Sequence, residues 1–167
     1  MAKAKSAIPQ GLHTVTPQLI LDKAAEAIDW YKKALGATER SRATSPDGKI
    51  MHADLQIGDS HIMLNDAGFA GGKGPRAFGG SPASIWVYVD DCDTVFNKAI
   101  SAGAKPLDGP MGRVADQFWG DRAGGFTDPS GYRWTVATHK EELTPEEMKT
   151  RQAEFMKQMS SSQPVAH

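Results

Sequence analysis

Gln18-Leu19-Ile20-Leu21-Asp22 leads into an alanine-rich stretch that stops at Leu35-Gly36-Ala37, and Trp86-Val87-Tyr88-Val89-Asp90 leads into another that stops at Ala102-Gly103-Ala104. The chain states one structural plan twice. In each copy the short apolar run reads as a strand and the stretch after it as an amphipathic helix. In the first helix Ala24, Ala27, Ile28, Tyr31 and Leu35 recur at spacings of three and four, and Gly36 supplies the left-handed residue that ends such helices. In the second, Val95, Phe96, Ala99 and Ile100 line the corresponding face of a helix expected from about Asp93 to Ala102.

Outward from these runs, each copy continues into short strands closed by tight turns. Pro46-Asp47-Gly48 and Gly58-Asp59 punctuate the first, Asp128-Pro129-Ser130-Gly131 the second, and these are residues that suit turn backbone angles. The unit therefore reads strand, helix, then antiparallel meander. The expected organisation is a leader over residues 1–11, a first module over 12–66, a Gly-rich linker over 67–82 and a second module over 83–139. A C-terminal helix over 140–159 and a frayed tail over 160–167 complete it. Thr144-Pro145-Glu146-Glu147 is a good helix start, and Met148, Phe155, Met156 and Met159 suggest a face that docks. The linker run Gly71-Gly72-Lys73-Gly74-Pro75 fits no phosphate-binding fingerprint and reads as a mobile connection.

Composition narrows the function. The 167 residues carry a formal charge of −1, which gives no electrostatic reason to expect nucleic acid or a membrane surface as partner. No apolar run approaches the roughly 20 residues of a membrane span, and the start lacks the apolar stretch of a secretory signal; a soluble cytoplasmic protein is expected. The lone Cys92 cannot close an intramolecular disulfide, and its neighbours Asp91 and Asp93 do not favour a nucleophilic thiolate. No Gly-x-Ser-x-Gly elbow occurs, and Asp90-Asp91 and Glu146-Glu147 read as helix N-terminal acids.

Trp119-Gly120-Asp121-Arg122 is the strongest binding candidate. A tryptophan face stacks on flat ligands, an arginine offers a planar fork to a carboxylate or phosphonate, and the adjacent acid can orient that fork. The competing reading makes Asp121 and Arg122 a local ion pair and Trp119 a core residue. Trp86 and Trp134 lie on predicted strands of the second module, where neighbouring strands bring them to one concavity if they do not simply fill the core. His52 and His61 flank the Gly58-Asp59 hairpin and join the candidates, while His139 reads as a strand-end residue.

The doubled module, the helix Ala27-Ile28-Asp29-Trp30-Tyr31-Lys32-Lys33-Ala34-Leu35-Gly36-Ala37, and the runs Phe118-Trp119-Gly120-Asp121-Arg122 and Asp128-Pro129-Ser130-Gly131-Tyr132-Arg133-Trp134 resemble the vicinal oxygen chelate superfamily of glyoxalase I, bleomycin resistance proteins, fosfomycin resistance enzymes and extradiol dioxygenases. Thr16-Pro17-Gln18-Leu19, the strand 51–60 and Ala137-Thr138-His139-Lys140-Glu141-Glu142 are similar to its PhnB-like branch. The resemblance implies an α+β fold of two βαβββ modules whose sheets curl around a cleft, followed here by the C-terminal helix. It also implies a homodimer, for which an exposed apolar sheet face gives a physical reason.

In metal-dependent relatives four side chains, two from each module, converge on one divalent ion. The corresponding places fall near Thr16, Met63, Ser84 and Thr135, where hydroxyls and a thioether are poor ligands for the usual ions. The function expected is therefore recognition of an aromatic or anionic small organic molecule in the intermodule cleft, by Trp119, Asp121, Arg122, Trp86, Trp134 and His52, with no cofactor. The alternative is a metal-dependent lyase, isomerase or dioxygenase with a divalent metal held through His52 and His61. A protein–protein module using the C-terminal helix is a third class.

Overall fold

A computed structural model describes residues 3–161. The first module runs β1 (Gln18–Leu21), α1 (Ala24–Leu35), β2 (Thr38–Thr44), β3 (Ile50–Ile57) and β4 (Ser60–Asp66). The second runs β5 (Ser84–Tyr88), α2 (Cys92–Ser101), β6 (Lys105–Pro106), β7 (Ala115–Asp116), β8 (Asp121–Thr127) and β9 (Arg133–His139), and α3 (Pro145–Ser161) follows. The sheets repeat one topology. Their orders are β1-β4-β3-β2 and β5-β9-β8-β6, with β7 also on β8. In each, the strand before the helix lies parallel to the last strand, Gln18 beside Met63 and Trp86 beside Thr135.

The expected α+β double module is thus present, with one local difference. The counterpart of β2 is broken into the two-residue strands β6 and β7, which pair with opposite ends of β8. Pro106, Gly109, Pro110 and Gly112 lie in that stretch, and prolines cannot donate to a ladder. The linker also holds more structure than a bare tether. It forms two 3₁₀ turns, Phe69–Gly71 and Pro75–Phe78, with Pro75 buried, and Arg76 donates to the Pro129 carbonyl at 2.7 Å.

One core serves both modules. Tyr31 of α1 packs against Trp134 of β9 with ring centroids 5.4 Å apart, and Trp30 meets Phe126 of β8 at 6.1 Å. Trp30 also donates through Nε1 to the Ala102 carbonyl at the end of α2. Halves of this size would each be marginal alone; sharing these rings removes that problem. Polar stitches accompany the packing. The Tyr132 hydroxyl accepts from the Ile20 N–H and donates to the Ile20 carbonyl, both at 3.0 Å, which satisfies the outer edge of β1. Asp66 accepts from the N–H groups of Ala24 and Ile50 at 2.7 Å and so anchors the starts of α1 and β3.

At the C-terminus Thr144 and Glu147 form a reciprocal capping box at the start of α3. Phe155 docks on Phe118 with centroids 5.1 Å apart. Met156 and Met159, expected on the docked face, are exposed; Met156 falls off the stripe that Met148, Arg151 and Phe155 present, whereas Met159 continues its spacing. Among the described residues no helix is long and apolar enough to cross a membrane. Residues 1–2 of the expected leader and 162–167 of the expected tail lie outside the described residues.

Candidate functional site

Strand alternation sorts the second module's side chains. Ile85 and Val87 of β5 turn toward the core, while Trp86 and Tyr88 turn outward, 45% and 62% exposed. Both belong to a cleft of about 680 Å³ whose other wall carries Val15, Pro17, Ile57 and His61 from the first module. Rings this exposed at positions two apart on one strand form a continuous apolar surface. Trp119 extends it, meeting Trp86 edge-to-face at 6.1 Å, and Phe118 in turn packs on Trp119 at 5.0 Å.

Behind the rings stands Asp121, 4% exposed. Its Oδ2 accepts from the Tyr88 hydroxyl at 3.0 Å and from Trp119 Nε1 at 2.9 Å, and its Oδ1 accepts from His139 Nδ1 at 2.8 Å. Burial by itself would raise the Asp121 pKa, but hydrogen bonds from His139, Tyr88 and Trp119 together hold it below the usual carboxylate range. Hydrogen bonds to Asp121 and then Glu142 raise the His139 pKa above its ordinary 6.5, with Glu142 Oε1 3.2 Å from Nε2. The same carboxylate also lifts the Tyr88 hydroxyl pKa.

The structure gathers part of the expected site. Trp86, Trp119 and Asp121 come together, and Asp121 does not orient Arg122. As its strand neighbour, Arg122 points to the opposite face of β8, where Nε and Nη2 donate to Asp93 at 2.6 and 2.8 Å and Nη1 to Asp116 at 3.0 Å. Trp134 is fully buried and gives its Nε1 proton to Asp128; it is a core residue. His52 lies on β3 opposite Ala43 of β2 and does not line the cleft.

Sequence reasoning passed over two contributors. Tyr88 carries its signal two positions from Trp86, and Phe118 carries it beside Trp119. His61, expected only under the metal-dependent alternative, pairs with Asp54, 2.8 Å between Nδ1 and Oδ1, a contact that strand pairing creates by setting Asp54 opposite Met63 and Gln56 opposite His61. A separate cavity of about 250 Å³, lined by Asp22, Lys23, Trp30, Tyr31 and Arg76 among others, lies away from these exposed rings.

The family model of the glyoxalase/bleomycin resistance protein/dioxygenase superfamily matches residues 11–136. The chain belongs to this superfamily. It is 40% identical over 138 residues to the uncharacterized protein Rv0887c of Mycobacterium tuberculosis (strain ATCC 25618 / H37Rv), covering 80% of this chain and 79% of that one. A bleomycin-binding protein solved in complex with bleomycin shares the fold at TM-score 0.54 and 20% identity, with 77% of this chain and 99% of that chain covered. A PhnB protein from Bacillus cereus does so at TM-score 0.54 and 20% identity, with 75% and 99% covered.

Superfamily membership raises the question of a divalent metal, and the residues present do not fit one. At the four corresponding places the Thr16 hydroxyl donates to the His13 carbonyl, Met63 offers a thioether, Ser84 opens β5 and Thr135 is buried. Hydroxyls and a thioether bind such ions weakly. Among the described residues no three His, Cys, Asp or Glu side chains are grouped to hold a metal ion. Asp66, a conceivable helper for His52 and His61, is committed to two backbone N–H groups.

Proposed function

We propose that this chain binds a small organic molecule bearing an aromatic ring, seated in the intermodule cleft against Trp86, Tyr88 and Trp119, with no metal in the recognition step. The observation that carries this reading is the exposed Trp86–Tyr88 face, braced from behind by the buried Asp121 that anchors both Tyr88 and Trp119. Side chains fixed in place lose little freedom on binding, which favours affinity. A cleft of about 680 Å³ falls within the range of small-molecule sites. The solved complex of the bleomycin-binding protein supports the same use of the fold. Because Arg122 is turned away and ion-paired, the aromatic part of the ligand, not an anionic group held by that guanidinium, carries recognition. The metal-dependent alternative would need ligands that Thr16, Met63, Ser84 and Thr135 do not supply.

Titration with p-nitrobenzyl methyl ether, a neutral aromatic that quenches indole emission, tests the reading. Saturable quenching is expected, and Trp86→Ala should weaken it about tenfold, the loss of about 1–1.5 kcal/mol of ring contact. Linear, non-saturating quenching identical in both proteins would overturn it.

A further inference from the structure

His61 supplies the cleft with something the aromatic wall lacks, a directed polar atom. Its side chain is 10% exposed and lines the cleft together with Trp86 and Tyr88. The Asp54 carboxylate, 2.8 Å from Nδ1, accepts, so a ring carrying a single proton keeps it on Nδ1 and presents Nε2 as an acceptor. Among the described residues Nε2 has no hydrogen-bond partner, and no sealed side-chain nitrogen or oxygen lacks one; Nε2 is therefore not sealed, and the side chain that carries it lines the cleft. Gly11 of the leader passes close to it: a Cβ at that position would stand 3.6 Å from Nε2, an ordinary contact distance.

The remaining polar groups nearby are spoken for or differ in chemistry. Tyr88 gives its proton to Asp121, and the Ser60 hydroxyl gives its own to Asp59. His13 and Asp59 also border the cleft, and His52 sits farther along β3. None of these duplicates a nearly buried imidazole oriented by a carboxylate.

We infer that His61 Nε2, oriented by Asp54, accepts a hydrogen bond from the ligand, so that the cleft selects aromatic molecules carrying a hydroxyl or N–H donor over the same ring without one. This rests on the aromatic reading of the cleft and adds the ligand's polar group to it. Selectivity has a physical source. A nearly buried acceptor that a donor-less ligand strips of water is left unpaired, and that loss exceeds the value of an ordinary surface hydrogen bond. Asp54 acts as a positioning residue and His61 as a specificity-determining one.

The test compares p-nitrobenzyl alcohol with its methyl ether, the same ring with and without the donor, by quenching of tryptophan fluorescence. The alcohol should bind the wild-type protein about five- to tenfold more tightly, and His61→Phe should bring the two to equal affinity while retaining saturable quenching. On the wild-type protein labelled with nitrogen-15, the alcohol should also move the unprotonated Nε2 resonance of His61 and the ether should not. This second measurement keeps the inference falsifiable if His61→Phe fails to fold. Equal affinities together with an unmoved Nε2 resonance would overturn the role of His61 and leave the aromatic cleft standing. Failure of both compounds to saturate the wild-type protein would bring down the aromatic reading and this inference together.

Discussion

Asp121 opens β8 and Asp128 follows its last residue, and the two are equally buried, 4% exposed. Each accepts from one tyrosine hydroxyl and one indole N–H: Tyr88 and Trp119 for Asp121, Tyr31 and Trp134 for Asp128. Their remaining partners separate them. Asp128 takes the backbone N–H groups of Ser130 and Tyr132 at 2.8 and 2.9 Å, which locks the β8–β9 turn, and its aromatic donors are fully buried. Asp121 takes the half-exposed His139; of its aromatic donors Tyr88 lines the cleft and Trp119 packs on Trp86, which also lines it. One constellation thus holds a core together at one end of the strand and braces partly exposed aromatic rings at the other. What differs is whether the rings it anchors are covered by α1 or left to solvent.

The sharpest way to break the comparison is Asp128→Ala. It strips buried donors on Tyr31, Trp134 and the turn of their acceptor, and each orphaned group costs about 1–3 kcal/mol, so urea unfolding should show a loss of about 3 kcal/mol or more. A loss under about 1 kcal/mol would deny Asp128 its role as a core hub. Asp121→Asn should cost less, about 1–2 kcal/mol, since its partners reach water, yet it should weaken binding of p-nitrobenzyl methyl ether by loosening Tyr88 and Trp119. Unchanged affinity in that variant would show that the rings need no brace.

Titration distinguishes the two hubs further. His139 has its pKa raised by Asp121 and then Glu142, so its stabilisation is fully present below the ordinary histidine value of 6.5 and fades as pH rises through the elevated one. Asp121, lowered, contributes above the ordinary carboxylate value of 3.8 and loses its contribution in acid. The stability difference between wild type and His139→Gln should therefore be largest in mildly acidic solution between those limits and shrink toward alkaline pH, as followed by thermal unfolding across the range. A difference that grows with pH would reverse the sign and refute the pairing. The smallest effect belongs to Arg122→Ala. Its ion pairs with Asp93 and Asp116 are partly exposed and screened by solvent, so unfolding should shift only slightly, and binding in the cleft should not change.

How much of this was written in the chain can be judged residue by residue. Trp119 and Asp121 are legible as a binding cluster because the residue types announce it, and Trp86 follows from its strand. Arg122 misleads for a simple reason: adjacent residues on a strand face opposite ways, so its closeness to Asp121 in sequence guarantees separation in space. Trp134 falls on the covered face for the same reason. His61 and Asp54 are seven positions apart, and their contact exists because the hairpin register sets Gln56 against His61; a shift of one residue would send one of them to the other face.

The sequence by itself determined the doubled module, the two amphipathic helices and their glycine stops, and the capping box of α3, because these depend on periodicity and on backbone preferences within a few neighbours. The tertiary structure alone decided which aromatic rings are core and which are wall, which carboxylate meets which imidazole, and that both modules share one core. Those outcomes depend on strand register and on how α1 lies across the second sheet, and such long-range pairings leave no local trace in the order of the residues.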